Sequence, residues 1–214
     1  LVRSRRQLES LLEDVRAHKI DILIGTQMVA KGHDFPNVTF VGIISADSSL
    51  NFPDFRASER TFQLISQVAG RAGRREEVGN VLIQALEPQH SAIQTALTYD
   101  FEAFYDAELP NRQDLRYPPF GHLALIRIES ESEGHALKAS SQLVSALNET
   151  KPTYPNIVLG PAPAPITRLK SIFRMQILIK ATSRKDLRQI LGGMRTFRYG
   201  GVKVVVDIDP MNML

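Results

Sequence analysis

From His122 onward the residue pattern changes period in an order that few folds accommodate. His122–Glu129 reads as a strand, Glu133–Asn148 as a helix, Asn156–Gly160 as a strand and Pro161–Pro165 as a loop. Ile172–Lys180 then reads as a strand, Arg184–Met194 as a helix and Val202–Ile208 as a strand. Alternation in the strands and a spacing of three to four in the helices are what half-buried strands and amphipathic helices require. The order β-α-β-β-α-β is that of the split βαβ, or ferredoxin-like, domain, and it predicts an α+β module. Pro118-Pro119 precedes it and biases the residue before away from helix, so helical continuation is expected to stop there.

The first part of the chain follows another rule. Leu8, Leu11, Leu12 and Val15 form the stripe of an amphipathic helix, with Ser4 as a candidate cap. Ile20–Ile24 and Val38–Ala46 are short apolar runs that read as buried parallel strands, separated by a helical turn and a loop at Lys31–Asn37. A helix over Phe55–Gly70, a break at Gly73–Gly79 and a third strand at Val81–Ala85 continue the alternation, which argues for an α/β layer with a parallel sheet. Ile93, Leu97, Phe101, Phe104, Tyr105 and Leu109 then suggest two short helices. The expected organisation is an α/β module over 1–86, a helical connector over 87–119 and the α+β module over 120–214.

Charge separates the two halves. Residues 1–114 carry 12 Lys+Arg against 16 Asp+Glu, whereas residues 115–214 carry 14 against 7. Between Ile166 and Lys203 ten bases face one acid, Asp186. A basic surface of this density suits phosphates or an acidic partner, and it is equally what a solvated face looks like. The chain has no Cys, which excludes a disulfide framework and a thiolate zinc site. No apolar run nears the ~18–20 residues of a membrane span, and the start lacks the order of a secretory signal. A cytoplasmic protein is therefore expected. The five His, at 18, 33, 90, 122 and 135, show no metal-ligand spacing, so no metal site is expected. Asp207 and Asp209 are expected to pair with the basic surface.

Two segments carry chemistry. Gln67-Val-Ala-Gly70-Arg71-Ala-Gly73-Arg74 places two Arg three residues apart, each after a Gly, at the end of a helix. Arg holds phosphate well because its planar fork donates several hydrogen bonds and stays charged. Gly25-Thr26-Gln27, continuing through Lys31-Gly32-His33-Asp34, puts a hydroxyl and free amides at a strand-to-helix turn, where phosphate binds readily. Thr26 can equally be a helix cap. Phe173, Phe197 and Tyr199 stand as stacking platforms for single strands or as core residues, the core reading being favoured.

Together these segments resemble motifs V and VI of superfamily 2 helicases. The runs Gly25–Pro36 and Asn51–Arg60, the octet, Tyr117–Phe120, Gly160–Pro165 and Val206–Pro210 are similar to the primosomal replication-restart helicases of that superfamily, over nearly the whole chain. The resemblance implies part of a RecA-like helicase lobe followed by a C-terminal domain that binds DNA and partners. It implies a bacterial ATP-dependent 3′→5′ DNA helicase that recognises stalled replication forks and initiates primosome assembly. ATP and Mg²⁺ are the implied cofactors, with zinc only in the parent protein, since this chain has no zinc ligands. The implied partners are forked and single-stranded DNA, single-stranded DNA-binding protein and other primosome proteins, and no membrane.

The same resemblance assigns residues. Arg74 is the arginine finger, Arg71 assists it, and Gln67 couples nucleotide state to DNA. Gly32 and Asp34 join Arg71 and Arg74 at ATP, while Thr26, Gln27 and Lys31 contact DNA. Arg168, Lys170 and Arg174 are expected on DNA, and Arg184 and Arg188 on the acidic tail of single-stranded DNA-binding protein. Arg188 stands where the family has Gln. No Walker A loop or acidic Mg²⁺ motif is found, so the isolated chain is expected not to hydrolyse ATP. Two rival readings remain: a non-enzymatic DNA or protein adaptor, and part of another superfamily 2 helicase such as a branch-migration enzyme.

Overall fold

A computed structural model describes residues 5–26, 38–70, 79–150 and 157–213. The chain forms two compact units. Unit 1 comprises Leu1–Phe52 and Arg56–Tyr105; unit 2 comprises Pro53–Phe55 and Asp106–Leu214. The expected connector over 87–119 is thus divided, its first part belonging to unit 1 and the remainder to unit 2.

Unit 1 begins with α1 (Arg5–Arg16), which buries Leu12 from the predicted stripe. The candidate cap Ser4 lies outside the described residues. Strands β1 (Phe40–Ile43) and β2 (Asn80–Ile83) pair in parallel, Phe40 opposite Asn80 and Ile43 opposite Ile83. A 3-10 turn at Ala46–Ser49 leads toward α2 (Ala57–Ala69), and α3 (Ser91–Leu97) and the start of α4 (Phe101–Asp114) follow. Phe62, Ile65 and Ala69, spaced three and four apart on α2, are buried. Phe62 and Ile65 join Ile43, Ile93 and Phe104 in one core, against which Val41, Val81 and Ile83 pack. Phe62 and Phe104 stack with ring centroids 4.6 Å apart.

Two strand expectations are corrected here. Ile20–Ile24 is not a strand: it pairs with no other described segment, and Ile22 and Ile24 are 77% and 91% exposed. An apolar, β-branched run becomes a strand only where a neighbour offers a ladder, and the described residues of unit 1 offer one pair alone. The expected strand Val38–Ala46 shrinks to Phe40–Ile43 and is covered on one face, leaving Phe40 and Leu82 60% and 59% exposed.

Unit 2 holds a four-stranded antiparallel sheet in the order β4-β5-β3-β6. Its elements are β3 (His122–Ser130), α5 (Glu133–Asn148), β4 (Ile157–Leu169), β5 (Ile172–Ala181), α6 (Arg184–Gly192) and β6 (Lys203–Ile208). Side chains alternate across a strand. Ala124, Ile126 and Ile128 of β3 and Met175, Ile177 and Ile179 of β5 therefore share one face. With Ala136, Ala139, Leu143, Leu147, Leu187 and Ile190 of the two helices they make the core. Both helices are capped as their sequences dictate. The Ser132 hydroxyl accepts from His135 N, and Ser183 with Asp186 forms a reciprocal box, Asp186 N donating to Ser183 Oγ and that hydroxyl donating to the Asp186 carboxylate at 2.5 Å.

The loop expected at Pro161–Pro165 is instead strand. β4 runs through it with register shifts between Leu159 and Ala162 and between Pro163 and Arg168. Proline lacks a donor but has a β-compatible φ, so an edge strand tolerates it. The turn from β4 to β5 is made by Lys170 and Ser171, both with positive φ, at 48° and 67°. That is the two-residue hairpin geometry whose twist matches the strands.

Candidate functional site

In unit 1 the octet begins on the last turn of α2. Gln67 is exposed there, and Gly70 closes the helix with its N–H bonded to Ser66 O at 3.1 Å. A Cβ at Gly70 would stand 3.2 Å from Ser66 O, a tight contact that a shift of a few tenths of an ångström would relieve. Arg71, Gly73 and Arg74 lie outside the described residues, as do Gln27, Lys31, Gly32, His33 and Asp34. Thr26 is described and exposed. The structure thus places Gln67 and Thr26 on the surface of unit 1.

Sequence reading missed the residue that holds the path toward α2. Asp47, 6% exposed, follows β1, and its Oδ2 accepts from Leu86 N at 2.6 Å and Glu87 N at 3.2 Å. Ser45, at φ 52°, turns the chain, and its N–H donates to Gln84 Oε1 at 3.0 Å. A carboxylate accepting backbone donors is a strong, charge-assisted tie. The only local signal for it is an acid immediately after an apolar strand.

In unit 2 the basic residues divide by environment. Arg168 and Lys170 are exposed on the β4–β5 hairpin, with the Arg168 guanidinium 5.0 Å from the Phe173 ring centroid. Arg174, expected on DNA, is instead 7% exposed and turned inward: Nη1 donates to Ile166 O at 3.4 Å and Nε lies 3.8 Å from Glu129 Oε1. Its place on the sheet explains this, because Arg174 of β5 is the direct partner of Glu129 of β3. Glu129 also takes Arg127 Nε at 2.8 Å and Lys203 Nζ at 3.5 Å. Burial pushes the Glu129 carboxyl up, but the hydrogen bond and charge of Arg127 and the Lys203 ammonium outweigh it and hold the group below 4.5.

Arg184 and Arg188 are both exposed, one turn apart on α6. Arg184 Nη2 is 3.9 Å from Asp209 Oδ2, across solvent-exposed side chains, so this tie is weak. Asp209 stands past the end of β6, and its φ of 51° is no longer that of a strand. The aromatic candidates Phe173, Phe197 and Tyr199 pack partly buried against the core.

A second feature of unit 2 has no counterpart in the sequence reading. Lys180, on β5 and 5% exposed, donates from Nζ to Leu115 O at 2.9 Å and sits 3.6 Å from the Tyr117 ring centroid. Tyr117 stacks on Phe55 at 4.9 Å and 9°, and the Arg112 guanidinium lies 5.4 Å from the Phe55 ring. Burial pushes the Lys180 ammonium below its usual pKa. It pushes the Tyr117 phenol above its own, with the Asp54 charge adding to the rise. No pattern in the sequence links 55, 117 and 180.

Among the described residues no group of three or more His, Cys, Asp or Glu could hold a metal ion. No helix there is long and apolar enough to cross a membrane.

Comparison with known proteins gives these surfaces a context. Residues 3–76 match the helicase conserved C-terminal domain and residues 113–211 the primosomal protein N C-terminal domain. The class is therefore a helicase C-terminal lobe followed by a primosomal C-terminal domain. The chain belongs to the PriA family of replication restart proteins. It is 41% identical over 216 residues to the Replication restart protein PriA of Bacillus subtilis, covering 96% of this chain and 26% of that protein. Identity is 39% with the Synechocystis protein of that name and 42% with that of Treponema pallidum. Those matches cover 95% and 97% of this chain and 24% and 32% of the relatives. The chain thus spans about a quarter to a third of the length of these relatives.

Proposed function

We propose that the chain is the motor-lobe and C-terminal portion of an ATP-dependent 3′→5′ DNA helicase that recognises stalled replication forks and initiates primosome assembly. The observation that carries this reading is identity of about 40%, across nearly the whole chain, to proteins named for replication restart. The strand order of unit 2 supports the ferredoxin-like assignment, and the parallel pair with α2 supports a RecA-like lobe.

In this reading the end of α2 leads to the reacting phosphates. Arg74 is the arginine finger, Arg71 supports it, and Gly32 and Asp34 lie beside them. ATP with Mg²⁺ supplies the phosphoryl group, and Arg side chains stabilise charge that develops in transfer. Exposed Gln67, on the same helix, fits the role of sensing nucleotide state. Thr26, Gln27 and Lys31 line the DNA path of the lobe. In unit 2 exposed Arg168 and Lys170 bind phosphates, while Arg174 braces the sheet behind them through Glu129. Arg184 and Arg188 take the acidic tail of single-stranded DNA-binding protein. A bacterial cytoplasm is the matching compartment.

The test uses the full-length enzyme. Arg74→Ala should lower fork-stimulated ATP turnover by ~10³-fold or more while nucleotide affinity changes little, because a finger acts mainly on the transition state. In the 214-residue chain, Arg168→Ala with Lys170→Ala should make the slope of log affinity against log salt less steep by about 0.9 for each phosphate that is no longer neutralised. Full turnover by the Arg74 variant would refute the finger assignment. DNA binding that ignores Arg168 and Lys170 would refute the hairpin assignment.

A further inference from the structure

Helix α2 lacks both devices that commonly fix where a helix starts. Its cap residue, Arg56, makes no side-chain cap bond, in a place where Ser, Thr, Asp or Asn ordinarily makes one. A hydrophobic residue just before the cap commonly packs on the fourth helical residue and so sets the angle at which the chain enters. Phe55 holds the place before the cap, but the fourth residue of α2 is Arg60. The Phe55 ring stacks instead on Tyr117, with centroids 4.9 Å apart and planes 9° from parallel, and the Arg112 guanidinium lies 5.4 Å from its centroid. Tyr117 has its own footing in unit 2. Its N–H donates to Arg112 O at 2.8 Å, and Lys180 of β5 sits 3.6 Å from its ring centroid. Pro53–Phe55 accordingly belong to unit 2, whereas Arg56 and the helix that follows belong to unit 1.

Only Arg56 separates this stack from α2. The helix runs over Ala57–Ala69 without proline or glycine, a length of about 20 Å at 1.5 Å per residue. Phe62 and Ile65 are buried along it, and its last turn opens the octet at Gln67. With no cap bond and no apolar residue at the stapling position, α2 takes its start from the stack and carries that setting to its far end. We infer that Phe55 is a positioning residue for ATP turnover: stacked on Tyr117, it sets the start of α2 and thereby the place of the octet at the end of that helix. The inference rests on the reading of Arg74 as the finger, and adds that the aim of the finger depends on a ring of unit 2. A misplacement of 1 Å far from the chemistry can cost ~10²-fold in rate. A group that acts mainly in the transition state loses rate, not ground-state affinity, when it is misaimed.

The test is ATP turnover by the full-length enzyme on forked DNA, beside amide exchange in the 214-residue chain. Phe55→Leu keeps an apolar side chain and removes the stack. It should lower kcat by ~10-fold or more and leave KM for ATP within about twofold. Tyr117→Leu should do the same, and the double variant should fall no further, because both changes remove one interaction. Phe55→Tyr, which keeps the ring, should turn over as the wild type does. Ile177→Val, which trims the buried core of unit 2 away from the stack, should leave kcat unchanged. The Arg60 amide, bonded to Arg56 O at 2.9 Å, should exchange faster in Phe55→Leu and not in Ile177→Val. Wild-type kcat in Phe55→Leu overturns the inference. So does an equal loss in Ile177→Val, or an Arg60 amide that exchanges at the wild-type rate in Phe55→Leu. Arg74→Ala in the same assay separates the two readings. Full turnover there refutes the finger, whereas slow Arg74→Ala beside wild-type turnover in Phe55→Leu refutes the positioning role alone.

Discussion

Replacing Tyr117 by Leu asks what the aromatic ring does beyond filling space. The ring has Phe55 stacked on one face and the Lys180 ammonium 3.6 Å from its centroid. A cation over a ring is worth ~2 kcal/mol when desolvated, and an aromatic pair ~0.5–1.5 kcal/mol beyond burial. Tyr117 is half-buried, so the lower ends apply, about 1 kcal/mol for the cation and about 0.5 kcal/mol for the aromatic pair, and Tyr117→Leu should destabilise unit 2 by about 1.5 kcal/mol. Lys180→Met alone should cost about 1 kcal/mol, chiefly the bond to Leu115 O, because it also removes a charge that burial disfavours. If the ring and ammonium act on each other, the double variant should show a coupling of about 1 kcal/mol. Urea-dependent hydrogen exchange of β3 and β5 amides reports opening of unit 2 separately from unit 1. There is a pH signature as well. Lys180 folds with its pKa below 10.5, so just under that value the unfolded chain binds the proton more tightly and stability rises with pH. Lys180→Met should erase that rise. A coupling within ~0.5 kcal/mol of zero, together with an unchanged pH profile, would refute the reasoning.

Other outcomes follow from the same geometry. Glu129 is held below 4.5 in the fold, so its contribution is complete above 4.5 and is lost as pH falls through the folded value; Glu129→Gln should flatten the acid limb of an unfolding-midpoint profile. Gly121→Ala would set a methyl group 2.5 Å from Arg116 O, a backbone atom, and should cost ~1–3 kcal/mol in denaturant titration. Asp47→Ala leaves the N–H groups of Leu86 and Glu87 without their acceptor and should destabilise unit 1 by ~1–3 kcal/mol, read by amide exchange in β2 and α3.

Local periodicity carries the sequence reading furthest where an element is both amphipathic and capped. Glu133–Asn148 ends where its apolar stripe ends, behind Ser132, and α6 begins at Arg184 behind the Ser183–Asp186 box. The reading fails where tertiary context decides. Ile20–Ile24 has every local mark of a strand and no described strand beside it. Pro161–Pro165 has every mark of a loop, yet an edge needs no donors on its open side. The β4–β5 hairpin turns on Lys170-Ser171, which lacks the Asn-Gly or Gly signal that announces such a turn. Site residues divide the same way. Exposed Arg168, Lys170, Arg184 and Arg188 are legible as a basic cluster, but the inward turn of Arg174 depends on its register opposite Glu129. Asp47, Tyr117 and Lys180 act through partners between 39 and 65 positions away, a range over which no sequence period exists.

The assignment of Pro53–Phe55 to unit 2 has a consequence for inheritance. Three residues inside the stretch matched to the helicase domain take part in the fold of the other unit, so the genetic seam and the physical seam do not coincide. A chimera that joins the first hundred residues of one relative to the last hundred of another would bring a foreign Phe55 to a native Tyr117. Positions 55, 112, 117 and 180 are thus expected to drift through evolution as a set. A peptide spanning 51–57, supplied separately, should protect a truncated chain beginning near residue 106 from proteolysis.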